Sequence, residues 1–298
     1  MTNEKNNEPF VIAEVGCNHG GDMEFAKKMI SIAANFCEVD AVKFQKRNNK
    51  ALFTDAQYNA PHPNPMHSFG ATYGEHREFL EFNLDQHIEL SEHCKKEGII
   101  YATSVWDVPS AEEISQLDTP FIKVPSATNL NFEVLAAISD NFSGQIHVSL
   151  GMTTKSEERQ IVDFFQKRNR LGDVVLYACT SGYPVPFDQL ALLEVKRLVE
   201  TYGDQLFAVG FSGHHLGIAA DIAAMTLGAT IVERHFTLDR TSKGTDHSAS
   251  LEPDGMRKLK RDLSHVATSL VYKEDDLLEI EAPTRAKLKW LPSESTSA

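Results

Sequence analysis

The feature that most restricts the fold of this chain is a nearly end-to-end alternation of short β-rich runs with segments of helical spacing. The candidate strands are FVIAEVG (10–16), DAVKFQ (40–45), IIYATSV (99–105), FIKVPS (121–126), QIHVSLG (145–151), VVLYACT (174–180), LFAVGFS (206–212) and TIVERHF (230–236). Each is rich in Val, Ile, Phe or Tyr, as strands are. Between them, residues 22–36, 84–98, 131–140, 155–169, 187–203, 217–229 and 253–270 carry apolar residues at helical spacing. In the first of these, Phe25, Met29, Ile32 and Phe36 are expected to share one face. Several open on Asp, Asn or Ser and close on Gly, as capped helices do.

Eight strands alternating with helices match an α/β fold of the (β/α)8 TIM-barrel type, in count and in size. A doubly wound open sheet is the alternative. Its dinucleotide fingerprint is missing, because VGCNHGGD after the first strand lacks the required glycine spacing. The expected organisation is a disordered tail at 1–9, a single catalytic barrel at 10–290 and a disordered tail at 291–298. A long insertion at 46–83 follows the second strand and carries NAPHPNPMHSFGATYGEH. So long a connection in a compact barrel is expected to be a lid or an inter-subunit contact.

Charge narrows the partners. The formal net charge of -13 over 298 residues argues against nucleic acid or an anionic membrane as the main partner. A local cluster of lysines can still hold an anionic small molecule. Cys17, Cys37, Cys94 and Cys179 have no CxxC spacing and read as reduced thiols, not as a zinc site or a disulfide framework. The opening MTNEKNNEP lacks the order of a signal peptide, and no apolar run approaches membrane-spanning length. A soluble cytoplasmic protein is expected.

A barrel places its site at the carboxyl ends of its strands. The polar residues there are Glu14, Asn18 and His19; Lys43 and Gln45; Thr103 and Ser104; Lys123 and Ser126; Ser149; Thr180, Ser181 and Tyr183; Ser212 and His214; Glu233 and His235. A spacing of two keeps Lys43 with Gln45, Ser212 with His214, and Glu233 with His235 on common faces. Lysines and hydroxyls suit a phosphate and a carboxylate, and two imidazoles on adjacent strands suit a divalent metal. In FSGHHLG (211–217), His215 is expected to point away from the site that His214 faces.

AEVGCNHGGDMEFAKKMI, DAVKFQK, KVPSATNLNF, SLGMTT, YACTSGYPVP, GFSGHHLGIA and ERHFTLDRTSKGTDHSASLEPDG follow one another in an order that resembles the sialic acid (N-acetylneuraminate) synthases. The resemblance runs from about residue 10 to 270, and TYGEHREFLEF in the insertion shares in it. It implies a (β/α)8 barrel transferase that condenses phosphoenolpyruvate with an N-acetylmannosamine-like open-chain aldose, giving a 2-keto-3-deoxy sugar acid and phosphate. By this resemblance Lys43, Thr103, Lys123, Ser126, Ser149, Ser181 and Ser212 would hold phosphoenolpyruvate. His214 and His235 would ligate Mn²⁺ or Mg²⁺, and Gln45, Tyr183 and Asp246 would face the acceptor sugar. Glu14 and Glu233 would sit near the reacting carbonyl and the attacking water. A homodimer is implied as well.

Two departures concern the acceptor. Thr128 stands where the family usually carries an acidic residue. The 298 residues also leave no room for the small antifreeze-like domain that typical members carry after the barrel. The acceptor therefore stays open among N-acetylmannosamine, mannose and modified amino sugars. A Schiff-base aldolase using Lys43 or Lys123, a synthase acting on a phosphorylated sugar, and a non-catalytic sugar-phosphate sensor are the competing readings.

Overall fold

The computed structural model describes residues 8–290. Its strands are β1 (Phe10–Gly16), β2 (Ala41–Lys46), β3 (Ile100–Val105), β4 (Phe121–Val124), β5 (Gln145–Ser149), β6 (Val174–Cys179), β7 (Ala208–Gly213) and β8 (Ile231–His235). All pair in parallel in chain order, and β8 returns to β1 with Glu14 opposite His235, so the sheet closes into a barrel. The expected strand at 121–126 stops at Val124, because Pro125 has no N–H to give to a ladder.

The helices are α1 (Met23–Asn35), α2 (Asn49–Leu52), α3 (Asp55–Tyr58), α4 (Tyr73–Leu80), α5 (Leu84–Glu97), α6 (Val108–Ile114), α7 (Phe132–Asn141), α8 (Lys155–Lys167), α9 (Leu193–Tyr202), α10 (Ala219–Thr226), α11 (Pro253–Ser269) and α12 (Ala282–Leu288). Local chemistry starts several of them. Thr72 with Glu75 and Thr154 with Glu157 form reciprocal capping boxes at α4 and α8. Helix α6 is the one barrel helix without an anticipated segment: at 7 residues, opened by the Asp107 cap, it is too short to show a period. Helix α1 buries Ala26, Met29, Ile30 and Ala33, not the face through Phe25, Ile32 and Phe36. The two alanines let the helix approach the sheet, while Phe36 stays at the surface under the guanidinium of Arg257.

The inward side of each strand changes character along its length. At the amino end, Ile12, Ala41, Ala102, Phe121, Val175, Tyr177 and Ile231 form a small inner core. Two residues further along β1, β2, β3, β4 and β8, the inward positions are Glu14, Lys43, Ser104, Lys123 and Glu233. The period-two alternation of a strand thus stacks a polar layer on an apolar one. The larger apolar layers lie outside the barrel, between sheet and helices.

The segment 46–83 folds into α2, α3, a short 3-10 turn at Pro65–His67, and α4. It spans the carboxyl mouth. At one side Phe82 stacks on His19 after β1, with ring centroids 4.1 Å apart. At the other, His67 Nδ1 accepts from the Gly244 amide at 3.1 Å and Phe69 lies 4.6 Å from the Lys243 ammonium. Of the tails expected at 1–9 and 291–298, residues 1–7 and 291–298 lie outside the described residues; Glu8 accepts from the Ser264 hydroxyl on α11 at 2.6 Å. Among the described residues, no helix is long and apolar enough to cross a membrane.

Candidate active site

A cavity of about 450 Å³ opens at the carboxyl mouth of the barrel, walled by the strand ends and reached by Arg47 and Arg77 of the insertion. Glu14, Lys43, Gln45, Lys123, Ser126, Ser149, Ser181, Tyr183, Ser212, His214, Glu233, His235 and Asp246 all line it. Thr103 does not. In register it faces Phe44, a residue of the outer apolar layer, so its side chain lies behind the sheet. The next residue, Ser104, takes the inward place and accepts from Lys43 Nζ at 2.7 Å. Of two adjacent hydroxyls on a strand only one can face the barrel axis. Thr128 is likewise off the lining, and Ala127 faces the cavity instead.

At the floor two lysines and two glutamates interlock. Lys43 lies 2.5 Å from Glu14 Oε2 and 3.7 Å from Glu233 Oε2, while Lys123 donates to Glu233 Oε1 at 2.6 Å. Gln45 steadies Glu14 through a 2.8 Å bond, and Ser212 donates to Glu233 at 3.3 Å. All four charged side chains are nearly inaccessible to solvent. The two carboxylates are set differently. Burial pushes the Glu14 carboxyl up, outweighing Lys43, and the charge on Glu233 adds to the rise. Burial also opposes charge on Glu233, but Lys123 and Lys43 overcome it and hold that carboxyl at about 2. Lys123 is itself lowered, by burial first, against the pull of Glu233.

On one side of this floor hydroxyls gather around a backbone amide. Ser126 Oγ accepts from the Gly151 amide at 3.0 Å, and Ser149, Ser181 and Ser212 line the same wall. A Cβ on Gly151 would sit 2.7 Å from Ser126 Oγ and inside contact distance of Ser181 Oγ. Glycine at 151 is therefore what lets these hydroxyls converge. Donors packed this closely, in one cavity with two ammonium groups, suit an anion.

Across the cavity stand the imidazoles of His214 and His235, ring centroids 5.5 Å apart, with Tyr183 4.4 Å from the first and 5.8 Å from the second. His214 Nδ1 lies 3.0 Å from the Thr180 carbonyl oxygen, which fixes a proton there; burial opposes charge on this ring, but Cys179 and the Thr180 carbonyl outweigh it and raise its affinity for a second proton. His235 Nδ1 is buried without a hydrogen-bond partner. Burial lowers His235 to about 4, against the opposing charge of Asp246. Paired imidazoles suit a divalent cation once the nitrogens that face it are deprotonated. No cluster of three or more His, Cys, Asp or Glu with metal-holding geometry occurs among the described residues, so the imidazole pair is what the cavity offers a cation. That set fits a weakly held ion completed by substrate and water.

Some polar strand-end residues serve the frame. Asn18 donates to the Phe236 carbonyl at 2.9 Å and to Ser250 at 3.0 Å, tying the loops after β1 and β8 together. His215 is buried behind the cavity, 3.2 Å from Asp221. Arg47, Arg77 and Trp106 line the upper cavity and were not singled out by their sequence positions. Arg47 pairs with Glu81 at 2.9 Å and stacks on Trp106 at 3.9 Å. Arg77 has no carboxylate within ion-pair distance among the described residues and is held by the Tyr73 hydroxyl at 3.1 Å. A basic residue inside an insertion carries no signal of where it will point.

Fold and site together define a (β/α)8-barrel enzyme whose carboxyl mouth sets clustered hydroxyls and two lysines against a pair of imidazoles. The NeuB family matches residues 29–275, and this chain belongs to it. The chain is 36% identical over 279 residues to the N-acetylneuraminate-9-phosphate synthase of Homo sapiens, covering 94% of this chain and 76% of that protein. It is 33% identical over 250 residues to the N,N'-diacetyllegionaminic acid synthase of Campylobacter jejuni, covering 84% of this chain and 73% of that protein. In three dimensions it superposes on the N-acetylneuraminic acid (sialic acid) synthetase of Leptospira borgpetersenii, in complex with citrate, with a TM-score of 0.80 at 26% identity. That match covers 96% of this chain and 95% of the other.

Proposed function

We propose that this protein is a nonulosonic acid synthase, joining phosphoenolpyruvate to an N-acetylmannosamine-like open-chain aldose and releasing phosphate. The observation that carries the reading is the Gly151 cradle of hydroxyls in one cavity with Lys43, Lys123 and two imidazoles. A substrate that carries a phosphate and a carboxylate on one carbon matches the first half. An electrophile with a carbonyl and hydroxyls matches the second.

In this reading Lys43, Lys123, Ser126, Ser149, Ser181 and Ser212 hold the anionic groups of phosphoenolpyruvate, with Ser104 in the place first given to Thr103. C3 of phosphoenolpyruvate attacks the aldehyde carbon, whose oxygen takes up a proton from solvent, matched by the one the C2 hydroxyl releases in the last step, and C2 becomes electron-poor. Water adds at C2, and its proton passes to Glu14, whose raised affinity for protons makes it the better base. Glu233, held ionised between two ammonium groups, stabilises the positive charge at C2. The C2–O bond to phosphate then breaks, and the C2 hydroxyl loses its proton to leave the keto group. His214 and His235 would hold Mn²⁺ or Mg²⁺, which supplies Lewis-acid polarisation of the acceptor. Gln45, Tyr183 and Asp246 orient the acceptor.

Phosphate release is the direct test, with phosphoenolpyruvate offered alongside a panel of aldoses and N-acetylhexosamines. The panel includes members with and without a terminal phosphate, since the Arg77 guanidinium lines the cavity with no carboxylate at ion-pair distance among the described residues. Release with at least one acceptor and none without it is expected; absence of turnover with every acceptor would sink the reading. Gly151→Ala tests the cradle. Forcing Ser126 and Ser181 apart is expected to raise KM for phosphoenolpyruvate roughly tenfold to a hundredfold, given the cost of an ångström-scale misplacement. The KM of the acceptor should stay close to its original value in the same steady-state measurement.

A further inference from the structure

Beneath the catalytic floor lies a polar pair in an otherwise apolar layer. Tyr177, on β6, is fully buried within the inner core of Ile12, Ala41, Ala102, Val175 and Ile231. The centroid of its ring lies 4.1 Å from Lys123 Nζ, the same ammonium that donates to Glu233. Its hydroxyl is 2.8 Å from Nδ1 of His147, itself buried. His147 is in turn stacked flat on Phe121, centroids 4.1 Å apart and planes within 7°, with Nε2 3.3 Å from Gln145 Oε1. The Gln145 oxygen places the imidazole proton on Nε2, so Nδ1 accepts from the Tyr177 hydroxyl. Burial, and then the charge of Lys123, keep this imidazole neutral.

This chain of contacts has a consequence for Lys123. An ammonium over an aromatic face in a dry environment gains electrostatic attraction from the ring quadrupole. A phenol that donates its hydrogen to an imidazole becomes more electron-rich, which strengthens that attraction. The bond to His147 also stops the ring from tilting away. Gly210 on β7 completes the seat, because a Cβ there would lie 2.5 Å from the Tyr177 ring. Only glycine leaves the ring this position.

Resting on the proposed synthase reading, we propose that Tyr177, clamped by His147, is a positioning residue for phosphoenolpyruvate. It seats the Lys123 ammonium from below, so that Lys123 turns between Glu233 and the substrate's anionic groups without leaving the site. The ring is the working element, and the hydroxyl serves to aim it.

The test is phosphoenolpyruvate affinity, measured calorimetrically without acceptor on folded protein, together with the steady-state KM of each substrate. Tyr177→Leu removes the ring and is expected to weaken phosphoenolpyruvate binding about tenfold, from loss of a desolvated cation–π contact. The acceptor KM should change less than about twofold, because the acceptor does not depend on Lys123. Tyr177→Phe loses the same hydroxyl but keeps the ring, and should restore affinity to within about threefold of the original. A residue that merely fills the core would lower stability in both variants without separating the two substrates. Should Tyr177→Leu not fold, Tyr177→Met carries the same comparison. Unchanged phosphoenolpyruvate affinity in the ringless variant, or equal losses for Phe and Leu, overturns the proposal alone. Failure of the unaltered protein to bind phosphoenolpyruvate overturns the synthase reading and this proposal with it.

Discussion

His214→Ala is expected to lower kcat by at least about two orders of magnitude, the usual loss for one essential electrophilic contact in a closed site. The imidazole is fixed by the Thr180 carbonyl at Nδ1, so its Nε2 cannot be replaced by a neighbour rotating into place. His215, next in sequence, is buried on the far side and cannot substitute. A second measurement separates metal holding from simple packing. Equilibrium binding of Mn²⁺ alone, followed by its electron paramagnetic resonance signal, should weaken strongly in His214→Ala and in His235→Ala. Chelator treatment should abolish turnover of the unaltered protein, and added Mn²⁺ should restore it. In His214→Ala, turnover should stay low whether or not Mn²⁺ is supplied. Near-normal turnover in metal-stripped buffer would remove the metal from the scheme.

The barrel is legible in the sequence because each strand is a short β-rich run set apart by a helical segment. Its polar mouth is legible because the period of two is strict. Once Lys43, Ser212 and Glu233 are placed inward, Gln45, His214 and His235 must follow. The same logic fails where a run offers no alternation. IIYATSV gives two adjacent hydroxyls and no contrast between faces, so Ser104 rather than Thr103 faces the cavity only once register with Lys43 is known. Tyr177 sits inside VVLYACT among residues that all read as core, and the identity of its neighbour across the barrel decides its meaning. Arg47 and Arg77 owe their place to the path of the insertion, which local sequence does not set. On α1 the aromatic residues suggest one buried face, yet close approach to the sheet favours the neighbouring face with alanines. Periodicity finds a helix more reliably than it finds which of two adjacent stripes packs inward.

The position of His214 depends on a buried charge that takes no part in the cavity, and Asp221→Ala should expose that dependence. Arg234 and Asp221 have no solvent-accessible side-chain surface and meet at 2.5 Å. Arg234 also donates to the carbonyl oxygens of His215 at 2.5 Å and Gly217 at 2.8 Å, pinning the turn that follows β7. Removing the carboxylate leaves a buried guanidinium uncompensated, with an expected loss of about 3–5 kcal/mol of stability. Denaturant unfolding should show this as a fall in the midpoint with little change in slope. The double variant Asp221→Leu with Arg234→Met removes both charges and should regain much of the stability, since a dry apolar pair avoids the desolvation cost. Activity should not return with it. Without Arg234 the His215 and Gly217 carbonyls lose their anchor, and His214, one residue away, loses its aim into the cavity. A double variant that recovered both stability and turnover would show that the buried pair serves folding only. One that recovered stability alone would place the pair in control of the histidine.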